Sequence, residues 1–236
     1  MKKYSIFLLL LLTFFNVANA QLFKIAGQEV GFVYVGPKLG TNFSQISNWT
    51  ESSGVENKNR IGYQFGVVGE LGFTNRFSID GELVFLTKGH KQKFDGGSTK
   101  YNVNYLGIPL LAKYSFKILG LSKVYAKGGT FANVRTGGTS VFEFEGVDHE
   151  SEAQELSSDE WRRVDWGMSI GVGAEYEVDY GIWGIDLRYD QSFLDVYAIN
   201  TEKNWNRTFA ISVVYKYDLV DLMLRIRKKR VDPDAQ

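Results

Sequence analysis

The sequence predicts an all-β protein: an eight-stranded antiparallel up-and-down transmembrane β-barrel with short periplasmic turns and long extracellular loops. Three observations carry this. Apolar and polar residues alternate with period two over eight segments. The connections between those segments alternate strictly between short and long, as in barrels whose turns lie in the periplasm and whose loops lie outside. The face opposite the apolar one carries glycine, serine and charges of both signs, whereas the lining of a soluble ligand-carrying β-calyx would be mostly apolar.

The clearest pattern is the stretch 166–190. Trp166, Met168, Ile170, Val172, Ala174 and Tyr176 alternate with Gly167, Ser169, Gly171, Gly173, Glu175 and Glu177. After a short joint near Asp179, Trp183, Ile185, Leu187 and Tyr189 alternate with Gly184, Asp186, Arg188 and Asp190. These are two strands of one hairpin.

From the start of the chain, residues 1–20 read as a secretory signal peptide. Lys2 and Lys3 form the positive region, 6–15 the apolar run, and Ala18-Asn19-Ala20 the cleavage site. The run is short for a membrane anchor, which needs about 20 apolar residues. The chain has no cysteine, so neither disulfides nor a lipobox are expected. Residues 21–217 then form one outer-membrane β-barrel domain, and 218–236 a basic periplasmic tail. The 27 basic and 27 acidic residues cancel, which argues against a nucleic-acid partner.

The first strand is expected over 31–43, the second over 61–73, the third over 76–88 and the fourth over 100–116. The fifth, 123–134, has the least distinct faces, with Lys127 marking the inner one. The sixth and seventh are the hairpin described above, and the eighth is 207–217. Pro37 and Pro109 fall inside strands and predict local bulges there. The long connections are 44–60, 89–99, 135–163 and 192–206. Aromatics near strand ends, among them Tyr34, Tyr63, Phe77, Tyr101, Tyr114, Trp166, Trp183 and Tyr217, suit interfacial girdles.

Several stretches resemble a known family: GPKLGTNFS (36–44), YQFGVVGELGF (63–73), FSIDGELVFLTKG (77–89), VNYLGIPLLAKYSF (103–116), WGMSIGVGAEYEV (166–178) and RTFAISVVYKY (207–217). The run YLGIPLLAKY (105–114) is the most specific. The chain resembles the outer-membrane β-barrel domain family of Bacteroidota, the PorT-like or porin-family small barrels. The resemblance spans nearly all of 21–217 and implies an eight-stranded outer-membrane barrel. It carries over no activity, and a role in type IX secretion does not follow from it. One departure is the tail after Tyr217, since such barrels usually end on an aromatic of the last strand. The tail reads as a solvated segment, or as a basic helix lying on the inner leaflet or at the barrel mouth.

An eight-stranded barrel is just wide enough for side chains to fill. The inward charges Lys38, Glu70, Asp80, Glu82, Lys113, Lys127, Glu175, Asp186, Arg188 and Lys216 form a balanced set. They predict structural ion pairs that plug the lumen. The functional expectation is a non-enzymatic barrel that displays loops for binding or supports the envelope. A narrow porin-like pore is the runner-up, followed by a lipid-modifying barrel enzyme and a soluble β-calyx. His90 and His149 fall in expected loops, where they read as solvated titrating side chains; Asp148 and Ser151 beside His149 do not make a triad. No catalytic, cofactor or metal residue is assigned. The acidic loop 135–163 invites contact with a protein or a divalent cation. The alternation from Val141 to Glu145 suggests a strand rising above the membrane with a pairable edge. The protein is expected to be a monomer surrounded by outer-membrane lipid.

Overall fold

The computed structural model describes residues 24–25, 28–46, 56–118, 122–144, 153–156, 161–179, 181–196 and 204–219. Eight long strands carry the fold: β1 (Phe32–Ile46), β2 (Glu56–Gly72), β3 (Phe77–Phe94), β4 (Gly97–Ile118), β5 (Ser122–Phe144), β6 (Val164–Val178), β7 (Gly181–Asp195) and β8 (Trp205–Asp218). Each pairs antiparallel with its neighbours in sequence, and β8 pairs with β1 to close the ring. A closed ring leaves no edge in the lipid-facing region, which is what spanning a bilayer with strands requires. Two short ladders flank it: Lys24–Ile25 with Gln28–Glu29, and Ala153–Glu155 beside β5.

Alternation sets the two faces. Leu39, Phe65, Leu83, Ile108, Ile170, Ile185 and Val213 point outward and are exposed. Between them along the same strands, the inward residues are buried, many of them charged. The strand ends Gly72/Phe77, Ile118/Ser122 and Val178/Gly181 lie at the same end of the ring as the start of β1 and the end of β8. β5 is as regular as the others, and Tyr125, Lys127, Phe131 and Asn133 are its buried inward residues.

Four expectations need correction. The connection 89–99 is not a loop: the β3–β4 ladder continues in constant register to Phe94↔Gly97, where it turns through Gly96 at φ +86°. A positive φ there suits glycine, which has no Cβ to clash. Likewise β2 begins at Glu56 and β5 runs on to Phe144. Backbone pairing needs no lipid, so strands persist after the apolar alternation has stopped.

The second correction concerns the prolines. Register is unbroken through Pro37↔Val67 and Pro109↔Phe131. The shifts fall elsewhere, at Asn59/Gln64, Asn104/Tyr105 and Gln191/Asp195. Beside Pro37 the β1–β8 ladder lacks rungs between Lys38↔Val214 and Val35↔Tyr217. A Cβ on Gly36 would lie 1.7 Å from the Tyr215 carbonyl oxygen, so only glycine fits that close approach. Proline's missing N–H therefore costs rungs on one side rather than forcing a bulge.

Third, the strand rising above the membrane does form, but its flank is occupied over 139–141 by Ala153–Glu155. Fourth, Tyr101 is not a girdle residue; it turns inward against His90, while Tyr34 places its ring 5.8 Å from Lys216 Nζ. The signal peptide, His149, Asp148, Ser151 and most of the tail lie outside the described residues.

Candidate functional site

The inward side chains form layers along the lumen. Nearest the tight turns, Lys113 Nζ donates to both Glu70 carboxylate oxygens at 3.1 Å and also to Glu175. Lys216 donates to Glu175 Oε1 at 2.6 Å and to Glu70. Two lysines and two glutamates thus alternate in a closed ring, and the Ser78 hydroxyl adds a bond to Glu70 at 2.7 Å. The Tyr125 ring lies 4.4 Å from Lys113 Nζ.

The middle layer centres on Glu82. Lys38 donates to both of its oxygens at 2.9 Å, Lys127 to Oε1 at 3.2 Å, and Arg188 to Oε2 at 2.7 Å. Lys38 also reaches Asp186 at 3.0 Å, and Lys127 pairs with the same carboxylate. Asp80 is more loosely held, 3.7 Å from Lys127. All ten charged residues singled out from the sequence are buried in these two layers.

Above them lies a further set, in which the hairpin alternation already put Asp190 on the polar face but Lys88 and Asp165 were not singled out. Arg188 Nε lies 3.1 Å from Asp190, an ion pair without hydrogen-bond alignment, and Ser169 donates to Asp190. Gln64 accepts from Arg188 at 3.4 Å and donates to Ser212 at 2.6 Å. Higher still, Lys88 and Asn133 donate to Asp165 at 2.9 and 3.1 Å, and Lys88 Nζ sits 4.8 Å from the Phe131 ring. With Lys88, Asp165 and Asp190 included, seven carboxylates and six cations are buried among the described residues. The parity of β3 and β6 would have found Lys88 and Asp165.

The outer end is closed by apolar side chains. Ile46, Val84, Leu86, Val103, Tyr105, Trp161 and Val196 form a buried cluster, with Tyr101 and Leu156 packed on it. Ile46 is the last residue of β1, whereas Trp161 and Val196 come from the ends of connections. Those connections are tied by backbone bonds from Arg162 to Val196 at 2.9 Å and from Arg135 to Arg163 at 2.7 Å. His90 stacks on Tyr101 at 4.5 Å and faces Trp161 at 6.4 Å. It is only 2% exposed, not the solvated loop histidine expected. Burial pulls its pKa down to about 4, so it is neutral at neutral pH. On the outside of the same extension, a hydrogen bond from Lys100 holds Glu143 below the usual carboxylate range.

Among the described residues no group of three or more His, Asp or Glu side chains is arranged to hold a metal ion. The charged groups of the layers are paired with one another, an arrangement that suits filling the lumen.

The family profile described as the outer membrane protein beta-barrel domain matches residues 19–198. The chain belongs to that family. Its location is accordingly the outer membrane. A search of curated proteins returns no match. Among solved structures, the chain is similar to Ail of Yersinia pestis, determined with the heparin analogue sucrose octasulfate, at 16% identity and TM-score 0.42; the match covers 79% of this chain and 99% of that one. It is also similar to OprG of Pseudomonas aeruginosa at 12% identity and TM-score 0.45, covering 80% and 96%. Neisserial surface protein A matches at 12% identity and TM-score 0.43, covering 78% and 97%.

Proposed function

We propose that this protein is a non-conducting, non-enzymatic outer-membrane barrel whose work is done by its extracellular rim, in binding or in supporting the envelope. The observation that carries this reading is the lumen. Its charges are cross-paired in successive layers and its outer end is filled by the Trp161 cluster. A solute path would have to break several buried ion pairs and an apolar seal together. The motif run 105–114 supports assignment to the PorT-like small barrels of Bacteroidota. The proposal includes a signal peptide cleaved after Ala20, a single barrel domain over 21–217, a periplasmic tail over 218–236, and a monomeric state. The acidic connection within 135–163 is offered as the protein- or cation-binding element.

The test is conductance in planar bilayers, using protein whose folding is verified by a gel-mobility shift on boiling. Folded protein should insert without producing current steps. Reproducible steps that scale with the amount of folded protein would overturn the sealed-lumen reading in favour of a narrow pore.

A further inference from the structure

The part of the barrel above the lipid band carries a positively charged sheet face that the sealed lumen does not use. Register aligns Lys58, Lys91 and Lys100 side by side across β2, β3 and β4. Lys93 lies one rung pair further out on β3. The β3–β4 ladder keeps constant register from Ser78↔Lys113 to Phe94↔Gly97. Lys91 therefore lies on the same face as Phe85, and Lys100 on the same face as Leu106. This is the outer face, continuous with the lipid-facing surface, and not the inner face of His90 and Tyr101.

Like charges directly opposite one another across strands repel. Among the described side chains one acid shares the face: Glu143, which bridges Lys100 and Lys91 (3.7 Å to the latter). Lys58 has a further contact of its own; with it set aside, Lys91, Lys93 and Lys100 against that one carboxylate still leave the described part of the face positive.

Height selects the anion. Lys91 and Lys100 are six residues beyond Phe85 and Leu106, which share a row of outward apolar residues with Phe65 and Val134. Six residues span roughly 20 Å along a strand, or about 14 Å of height at the tilt of such barrels. A lysine side chain snorkelling downward covers about half of that. The ammonium groups then reach the headgroup layer, which adds several ångströms beyond the hydrocarbon.

We propose that the Lys58–Lys91–Lys93–Lys100 face binds the phosphate groups of outer-leaflet lipids surrounding the barrel. The inference deepens the rim-binding reading and rests on it for the orientation of the barrel, but it does not depend on whether the lumen conducts. Bound lipid relieves the repulsion in the lysine row and holds the extension against the membrane.

The experiment uses the full-length mature protein in neutral detergent, titrated with diphosphorylated lipid A and with its dephosphorylated form, and read by native mass spectrometry. Wild type should retain the phosphorylated lipid and lose it as salt is raised. A variant with Lys58→Gln, Lys91→Gln, Lys93→Gln and Lys100→Gln should bind roughly tenfold more weakly. Its shift on boiling should persist. Equal retention of the dephosphorylated lipid, salt-independent retention, or an unweakened folded variant would each overturn the proposal. Displacement by millimolar inorganic phosphate at unchanged ionic strength would also count against it, by pointing to a free-phosphate site. Should the fourfold variant fail to fold, the Lys91→Gln and Lys100→Gln single variants and the wild-type salt series decide. A conductance result bears on the lumen alone, so the two readings fail separately.

Discussion

Glu82 is the most heavily committed charge in the lumen, accepting from Lys38, Lys127 and Arg188. Removing its charge leaves three cations short of a partner where water is scarce. Glu82→Gln should cost about 3–5 kcal/mol, read as an earlier midpoint in urea unfolding from detergent. Among the described residues Asp80 makes a single ion pair, 3.7 Å to Lys127, so Asp80→Asn should cost less than about 1 kcal/mol in the same assay. Similar effects for the two would mean that these contacts do not rank the pairs. His90 provides a pH dependence outside the membrane. Its folded pKa is about 4, below the 6.5 of an unperturbed histidine. Between those values the unfolded chain binds the extra proton, so this contribution is complete above pH 6.5 and declines as pH falls towards 4. The loss should reach about 3 kcal/mol, seen as a falling urea midpoint that His90→Phe makes shallower across this window. Parity alone placed the lumen charges in the sequence. Lys88 and Asp165 obey the same parity as Asp190, but they lie towards the strand ends, where the apolar face no longer advertises the alternation.

At the scale of elements, a strand's solvent changes along its length while its ladder does not. That is why the eight strands were legible but their outer ends were not. Outward apolar residues mark where lipid is, and β3, β4 and β5 continue beyond it on backbone bonds and polar faces. The cap was illegible for another reason: Ile46 at the end of β1 and Trp161 and Val196 from two separate connections meet only in space. The distinction between lipid-facing and merely exposed can be tested with one kind of substitution. Ile170 lies midway along β6 between Trp166 and Tyr176, and Phe142 lies near the end of β5 above the lipid band; both are exposed. Ile170→Arg should destabilise the barrel in lipid vesicles by about 2–4 kcal/mol. Phe142→Arg should change stability by no more than about 0.5 kcal/mol. A comparable penalty at both sites would place the bilayer boundary higher than the strand pattern does.

At the scale of the whole molecule, the seals act in series. The Glu70 ring, the Glu82 layer, the Asp165 layer and the Trp161 cluster follow one another along a single lumen. On the sealed-lumen proposal any one of them suffices to block solutes, so opening one should not produce current. Trp161→Ala combined with Val196→Ala removes apolar volume from the outer seal and should loosen the connections there, making them more sensitive to protease. The ionic layers remain below, and conductance should stay absent. Replacing Glu70, Lys113, Glu175 and Lys216 together with Gln or Met removes the other end and should also fail to conduct while the Glu82 layer stands. Because that fourfold change is charge-neutral, the boiling shift should survive it, since well-packed neutral residues often replace buried ion pairs without loss. If either folded variant produced current steps, the seals would not be redundant, and the layer that had been altered would be identified as the gate.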